Sequence, residues 1–135
     1  MPGPTAFPQI ATYTNIGSQA ITTTNETVIA TLQGINSRGS NFPINLAGRA
    51  IFAVNASTTS TTLRLRVGSL TGALIGAAQV VQGGVAGDVN AADGSIAATY
   101  TPALEVAGLV VVLTIQAAAA AANWNVTLAQ LVAQQ

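Results

Sequence analysis

The sequence predicts an all-β protein: a single-domain antiparallel β-sandwich of about eight strands, either a jelly roll, which we favour, or an immunoglobulin-like arrangement. Three observations support this prediction. Short segments rich in Val, Ile, Thr and Leu recur at intervals of roughly 8 to 15 residues. Glycine-rich turns separate them, and no segment has the periodicity of an amphipathic helix. The length of 135 residues fits one domain.

The beginning of the chain differs from the rest. Pro2, Pro4 and Pro8 are three of its five prolines. Proline fixes φ and biases the preceding residue toward extended backbone. We therefore expect residues 1–9 to form an extended arm and residues 10–135 to form the sandwich domain. Phe7, the aromatic residue of the arm, would pack on its own domain or on a neighbouring molecule, and we take it as a candidate partner contact.

The strands are predicted from alternation and β-propensity. Segment 61–67 is the clearest, because Leu63 and Leu65 alternate with Arg64 and Arg66, as in a strand with one wet face. Segment 108–116 is apolar on both faces, which predicts burial on two sides, either inside the sandwich or at a subunit contact. Residues 34–41, 83–94 and 117–122 are interpreted as loops, the last with a bulged strand edge as the alternative. The candidate strand segments are residues 10–14, 19–23, 27–32, 47–55, 61–67, 73–81, 95–101, 108–116 and 124–132.

The chain lacks the side chains that most enzymes use. It contains no His, Cys or Lys, so a serine activated by histidine, a cysteine nucleophile and a Schiff-base lysine are all excluded. Zinc sites of the usual Cys and His types are excluded too. We therefore predict a protein that is not an enzyme and needs no cofactor.

Charge is scarce as well. Only 6% of the residues are charged, four arginines balance four acidic residues, and the net charge is zero. Such a chain has no phosphate-neutralising surface, so we expect no nucleic-acid partner. Its longest apolar stretch, 107–122, is interrupted by Thr114 and Gln116 and is too short to span a bilayer, so we expect no membrane partner. With so few charges, the surface is either covered by neutral polar residues or used as interface.

Three features are candidate sites. Arg64 and Arg66 share the outward face of one predicted strand. They would either be a solvated pair that blunts edge-to-edge pairing or contact acidic groups of a partner. Residues 88–94, with Asp88 and Asp93, would form an ordinary turn. The alternative is a calcium-binding loop, although the spacing of its acidic residues does not match the EF-hand pattern. Trp124 would be a core aromatic or a ligand platform.

Three segments resemble those of small jelly-roll proteins of tailed bacteriophages. They are residues 61–76 (TTLRLRVGSLTGALIG), 108–116 (GLVVVLTIQ) and 124–132 (WNVTLAQLV). Those proteins are head-decoration (cement) or minor virion components. The resemblance implies a homotrimer on the capsid surface that clamps the major capsid protein and thereby stabilises the phage head. It also implies a terminal arm, which the proline-rich start of this chain would supply.

Two other binding roles stay open from the sequence. One is a carbohydrate- or receptor-binding knob of a virion fibre, for which Tyr13, Tyr100 and Trp124 are the few candidate aromatic contacts. The other is a single jelly-roll capsid or surface-layer subunit. All of these roles consist of binding, which agrees with the missing catalytic side chains.

Overall fold

The computed structural model describes residues 10–21, 23–36, 42–54, 60–82, 91–102, 108–118 and 124–135. These residues form eight strands and no helix. The predicted arm, residues 1–9, lies outside the described residues and stays a prediction. In chain order the strands are β1 (Ile10–Ile21), β2 (Thr27–Ile35), β3 (Ile44–Val54), β4 (Ser60–Val67), β5 (Gln79–Gln82), β6 (Ala91–Tyr100), β7 (Leu109–Ala117) and β8 (Trp124–Gln134).

The strands form two four-stranded antiparallel sheets. One has the order β1-β8-β3-β6 and is called the β1 sheet; the other has the order β2-β7-β4-β5 and is called the β2 sheet. Among the described strands, β4 and β5 are the one consecutive pair that shares a sheet, so the chain otherwise crosses from sheet to sheet. Two interleaved Greek keys of this kind define a jelly roll. The sandwich prediction is confirmed, and the immunoglobulin-like alternative is wrong.

The core lies between the two sheets and is almost entirely aliphatic. Phe52 of β3 is fully buried, and so are Leu63 and Leu65 of β4. The sheets approach closely at Gly48 of β3, where an added Cβ would lie 3.1 Å from Leu113 of β7 in the other sheet. With so few aromatic residues in the chain, close approach of the sheets is how small side chains can fill the interior.

Strand β7 is buried on both faces within this one chain. Its inward residues pack in the core, and on the outward face Val112 is 2% exposed and Thr114 is fully buried. Arg66 and Arg64 of β4 are the cross-strand neighbours of Val112 and Thr114, so their side chains share that outward face. Of the two sequence-based explanations for the doubly apolar strand, burial inside the sandwich is confirmed, and a subunit contact made by β7 stays a prediction.

Several predicted boundaries were wrong, mostly because of bulges. Segment 10–14 and the first part of segment 19–23 belong to one strand, β1, which ends at Ile21 and whose register with β8 shifts between Ile16 and Gln19. The register of β2 with β7 shifts between Val28 and Ala30. Ile29 and Ala30 are therefore both buried, although strict alternation would place them on opposite faces of the strand. The predicted loop 83–94 is too long, since β6 begins at Ala91. Segment 73–81 forms only the short strand β5 and an isolated bridge.

Thr61 offers a stability test of the core. Its side chain is fully buried on the inward face of β4, and its hydroxyl has no hydrogen-bond partner among the described residues. An unpaired buried hydroxyl costs roughly 1–3 kcal/mol, which an apolar side chain of the same shape avoids. We expect Thr61→Val to raise the free energy of unfolding by about 1 kcal/mol in urea denaturation. Thr62→Val, on the opposite face, is the control and should change little; equal effects would contradict the assignment.

Candidate partner-binding surface

The outward face of the β2 sheet carries the two arginines that the sequence singled out. Arg64 and Arg66 both extend from β4, which is covered there by β7 on one side and by the segment around Leu74 on the other, so they do not lie at a free sheet edge. Their interpretation as a solvated pair that protects a sheet edge is wrong for that reason. Their side chains are only 22% and 19% exposed.

Both arginines bind one carboxylate, that of Glu26, which lies just before β2. Arg66 donates from Nε to Glu26 Oε2 at 2.5 Å and from Nη2 to Oε1 at 2.9 Å, a two-point contact. Arg64 Nη1 donates to the same Oε1 at 3.1 Å. The Glu26 side chain is 14% exposed. A carboxylate shared by two guanidinium groups in partly dry surroundings is held far more firmly than a surface ion pair.

The same cluster ties two connecting segments onto the sheet. Arg66 Nη1 donates to the carbonyl oxygen of Gly72 at 2.9 Å, which fixes the turn after β4. Arg64 Nη1 also donates to Gln116 Oε1 at 2.6 Å, and Gln116 Nε2 donates to the carbonyl oxygen of Thr24 at 3.1 Å. The segment before β2 and the turn after β4 are thus fixed from one centre. We call Glu26, Arg64, Arg66 and Gln116 the arginine cluster.

The electrostatics of the arginine cluster follow from these contacts. Hydrogen bonding from Arg66 is the main cause that lowers the pKa of Glu26 below its ordinary value of 4.5, and burial opposes that shift. The hydrogen bond to Glu26 likewise raises the pKa of Arg66. Glu26 is therefore a carboxylate at neutral pH, and two arginines against one carboxylate leave the cluster with a net positive charge of one.

The cluster retains capacity to bind. The Nε–H group and both Nη2–H groups of Arg64 make no hydrogen bond to any described residue, although Nη1 makes two. Guanidinium donors that no described residue uses would suit a carboxylate of another protein. The cluster thus fits the predicted contact between Arg64 or Arg66 and an acidic partner, and that contact stays a prediction.

A second ion pair lies on the outward face of the β1 sheet. Arg49 of β3 donates to Asp93 of β6 from Nε at 3.0 Å and from Nη2 at 2.6 Å, with side chains 49% and 51% exposed. This hydrogen bonding lowers the pKa of Asp93. Asp93 therefore lies in a strand and has an arginine partner; Asp88 lies outside the described residues. No group of three potential metal-ligating residues occurs in the described part of the chain.

Two of the remaining candidates have side chains outside the described part of the structure, and two pack against the core. Phe7 and the side chain of Trp124 lie outside the described part of the structure. Tyr13 and Tyr100 pack, half-buried, against the core. Glu26 and Gln116 were missed by sequence reasoning, because each reaches the arginines from another strand region, 38 and 52 residues away from Arg64. The described residues include no helix that could span a membrane.

Fold and surface together define the chain as a jelly-roll module that carries an arginine cluster on one sheet face. No protein-family model and no curated protein sequence matches it. Among solved structures, a similar fold occurs in a chain of the structure of infectious bursal disease virus, Gx strain, with a TM-score of 0.57 and 9% sequence identity. The match covers 95% of this protein and 32% of that chain, so this protein spans about a third of its length. The similarity is one of fold and agrees with the jelly roll.

Proposed function

We propose that the protein is a structural component of a virus particle, a capsid-decoration (cement) protein that binds the outer surface of the shell. The observation that carries the proposal is the strand order β1-β8-β3-β6 over β2-β7-β4-β5, together with its similarity to a chain in the structure of a virus. Catalysis is not part of this role. Binding to the assembled shell and not to free subunits stabilises the shell by mass action.

The surface chemistry supports the same proposal. The protein has few charges to keep copies apart, and Arg64 has donor groups that no described residue uses and that would suit acidic groups. The major capsid protein is the proposed partner, and a homotrimer is the proposed assembly. The arginine cluster is the proposed contact with the shell.

The test uses the purified protein and shells of the major capsid protein from the virus that encodes it. Light scattering after size-exclusion chromatography gives the oligomeric state, and co-sedimentation gives the affinity for shells. We expect an oligomer that binds shells and raises their melting temperature. Arg64→Gln should weaken binding by about tenfold, the worth of one charge-assisted contact. Arg49→Gln, on the other sheet, is the matched control and should leave binding unchanged.

Each contrary outcome points to a different role. A monomer that does not sediment with shells would refute decoration. Spontaneous assembly of the pure protein into closed shells would make it a capsid subunit, and competable binding to glycans would favour a receptor-binding knob. Equal loss of binding in both arginine variants would show that the arginine cluster is not the contact.

A further inference from the structure

Among the described strands, β6 is the least protected sheet edge. Of the four edge strands, β5 has only four residues, and register shifts interrupt the pairing of β1 and of β2 with their neighbours. Short strands and bulges are devices by which proteins prevent one sheet edge from pairing with another. β6 has neither, since its ten residues pair with β3 without a shift. It also contains no proline and no lysine, which protect edges in other proteins.

The backbone of β6 can pair with another strand. In an antiparallel pair, alternate residues direct their N–H and C=O groups toward the neighbouring strand, and the residues between them direct these groups away. No described residue outside β3 makes a backbone hydrogen bond to β6. The segment at Gly76 comes close, but it lies against the side chain of Ala98 on the inward face. The backbone groups that point away from β3 are therefore available to a further strand as far as the described residues are concerned.

The side chains along this edge are small, and their charge is compensated. Ser95, Ala97 and Thr99 are exposed on the outward face. The one charged residue of β6, Asp93, accepts hydrogen bonds from Nε and Nη2 of Arg49 at 3.0 and 2.6 Å. The chain as a whole also has zero net charge. Two copies can therefore approach edge to edge without electrostatic repulsion.

The sequence of β6 is complementary to itself in an antiparallel pair. When two copies align with Ala97 opposite Ala97, Ser95 of each copy lies opposite Thr99 of the other. Hydroxyl pairs of this kind stabilise neighbouring strands. The Thr99 hydroxyl donates to Asn45 Oδ1 at 3.1 Å, so its oxygen can still accept a hydrogen bond from Ser95. Asp93 lies nearer the end of the strand, and the two carboxylates do not face each other.

We propose that β6 binds β6 of a second copy, antiparallel and about a two-fold axis at Ala97, which joins two four-stranded β1 sheets into one continuous sheet. A contact of this kind uses the same surface on both copies, so one edge strand suffices. Pairing along a single edge buries little surface, so the contact is weak in dilute solution and its occupancy rises with concentration. It requires neither the shell nor the arginine cluster, and in a homotrimer it would link one trimer to another.

Because the chain contains no cysteine, single cysteines report this pairing directly. Opposite residues of an antiparallel pair have Cα atoms about 4.5–5.5 Å apart, within reach of a disulfide. We expect oxidised Ala97→Cys to form a disulfide-linked dimer on a non-reducing gel. Ser95→Cys alone should not, since its counterpart in the second copy lies about 13 Å away, but mixed with Thr99→Cys it should form the mixed dimer. No dimer from Ala97→Cys, or an equal yield from Ser95→Cys alone, would overturn the proposal.

Lysine substitutions distinguish edge pairing from stacking of the outward faces. Ala97 and Ala47 are cross-strand neighbours and both are exposed on that face, but Ala47 lies in the inner strand β3. Ala97→Lys places two like charges opposite each other across the proposed axis. It should abolish the rise of the sedimentation coefficient with protein concentration, whereas Ala47→Lys should leave that rise unchanged. Equal loss in both variants would assign the contact to the sheet faces and overturn the proposal.

Discussion

Phe52→Ala is expected to destabilise the protein by about 3–5 kcal/mol, the usual cost of truncating a buried phenylalanine. Phe52 is fully buried on β3, with Val126 of β8 and Ala92 of β6 as its cross-strand partners. The other buried hydrophobic residues that the structure describes are aliphatic, and the chain has no cysteine to form a disulfide. Since domains have a total stability of roughly 5–15 kcal/mol, the variant would lose a large share of it.

Urea denaturation followed by circular dichroism measures this loss, and the adjacent residue provides the control. Ile51 lies on the outward face of the same strand and is only half-buried. Ile51→Ala should therefore cost about 1 kcal/mol or less. If both variants lost the same free energy, the inward and outward faces of β3 would be assigned wrongly.

The β-sandwich was predictable because alternation survives in the inner strands. β4 shows it plainly, since Leu63 and Leu65 face the core while Arg64 and Arg66 face outward. The choice between a jelly roll and an immunoglobulin-like sandwich was not predictable. It depends on which strands pair, and the pairs are distant in sequence: β1 with β8, and β3 with β6. Bulges in β1 and β2 changed which residues face the core. Gly17 marks the bulge in β1, but no glycine or proline marks the one between Val28 and Ala30.

The site was only half predictable for a similar reason. Two arginines on alternate positions of a strand mark a shared face, and the structure places them there. Their partner Glu26 lies outside any strand and comes within reach only because β2 and β4 both pair with β7. A sequence can therefore indicate that Arg64 and Arg66 act together, but the carboxylate that binds them is found only in the folded sheet.

Glu26→Gln is expected to lower the free energy of unfolding by about 2 kcal/mol at neutral pH, because it leaves two partly buried guanidinium groups without their counter-charge. The glutamine keeps the size of the side chain, so the loss reports charge and not packing. Asp93→Asn is the matched control: it removes the carboxylate of the other arginine pair, whose side chains are half exposed. Because solvent screens that pair, we expect Asp93→Asn to unfold at the same urea midpoint as the natural protein.

The dependence of this loss on pH follows from the lowered pKa of Glu26. A carboxyl group whose pKa is lower in the folded state stabilises the fold above its unfolded value, here about 4.5, and loses that contribution as the pH falls through the folded value. The difference in stability between the natural protein and Glu26→Gln should therefore be largest at neutral pH and shrink in acid. A difference that stays constant from neutral to acidic pH would contradict a stabilising role for the charge of Glu26. A difference that shrinks would identify its charge as what holds the two arginines, and with them both connecting segments, against the sheet.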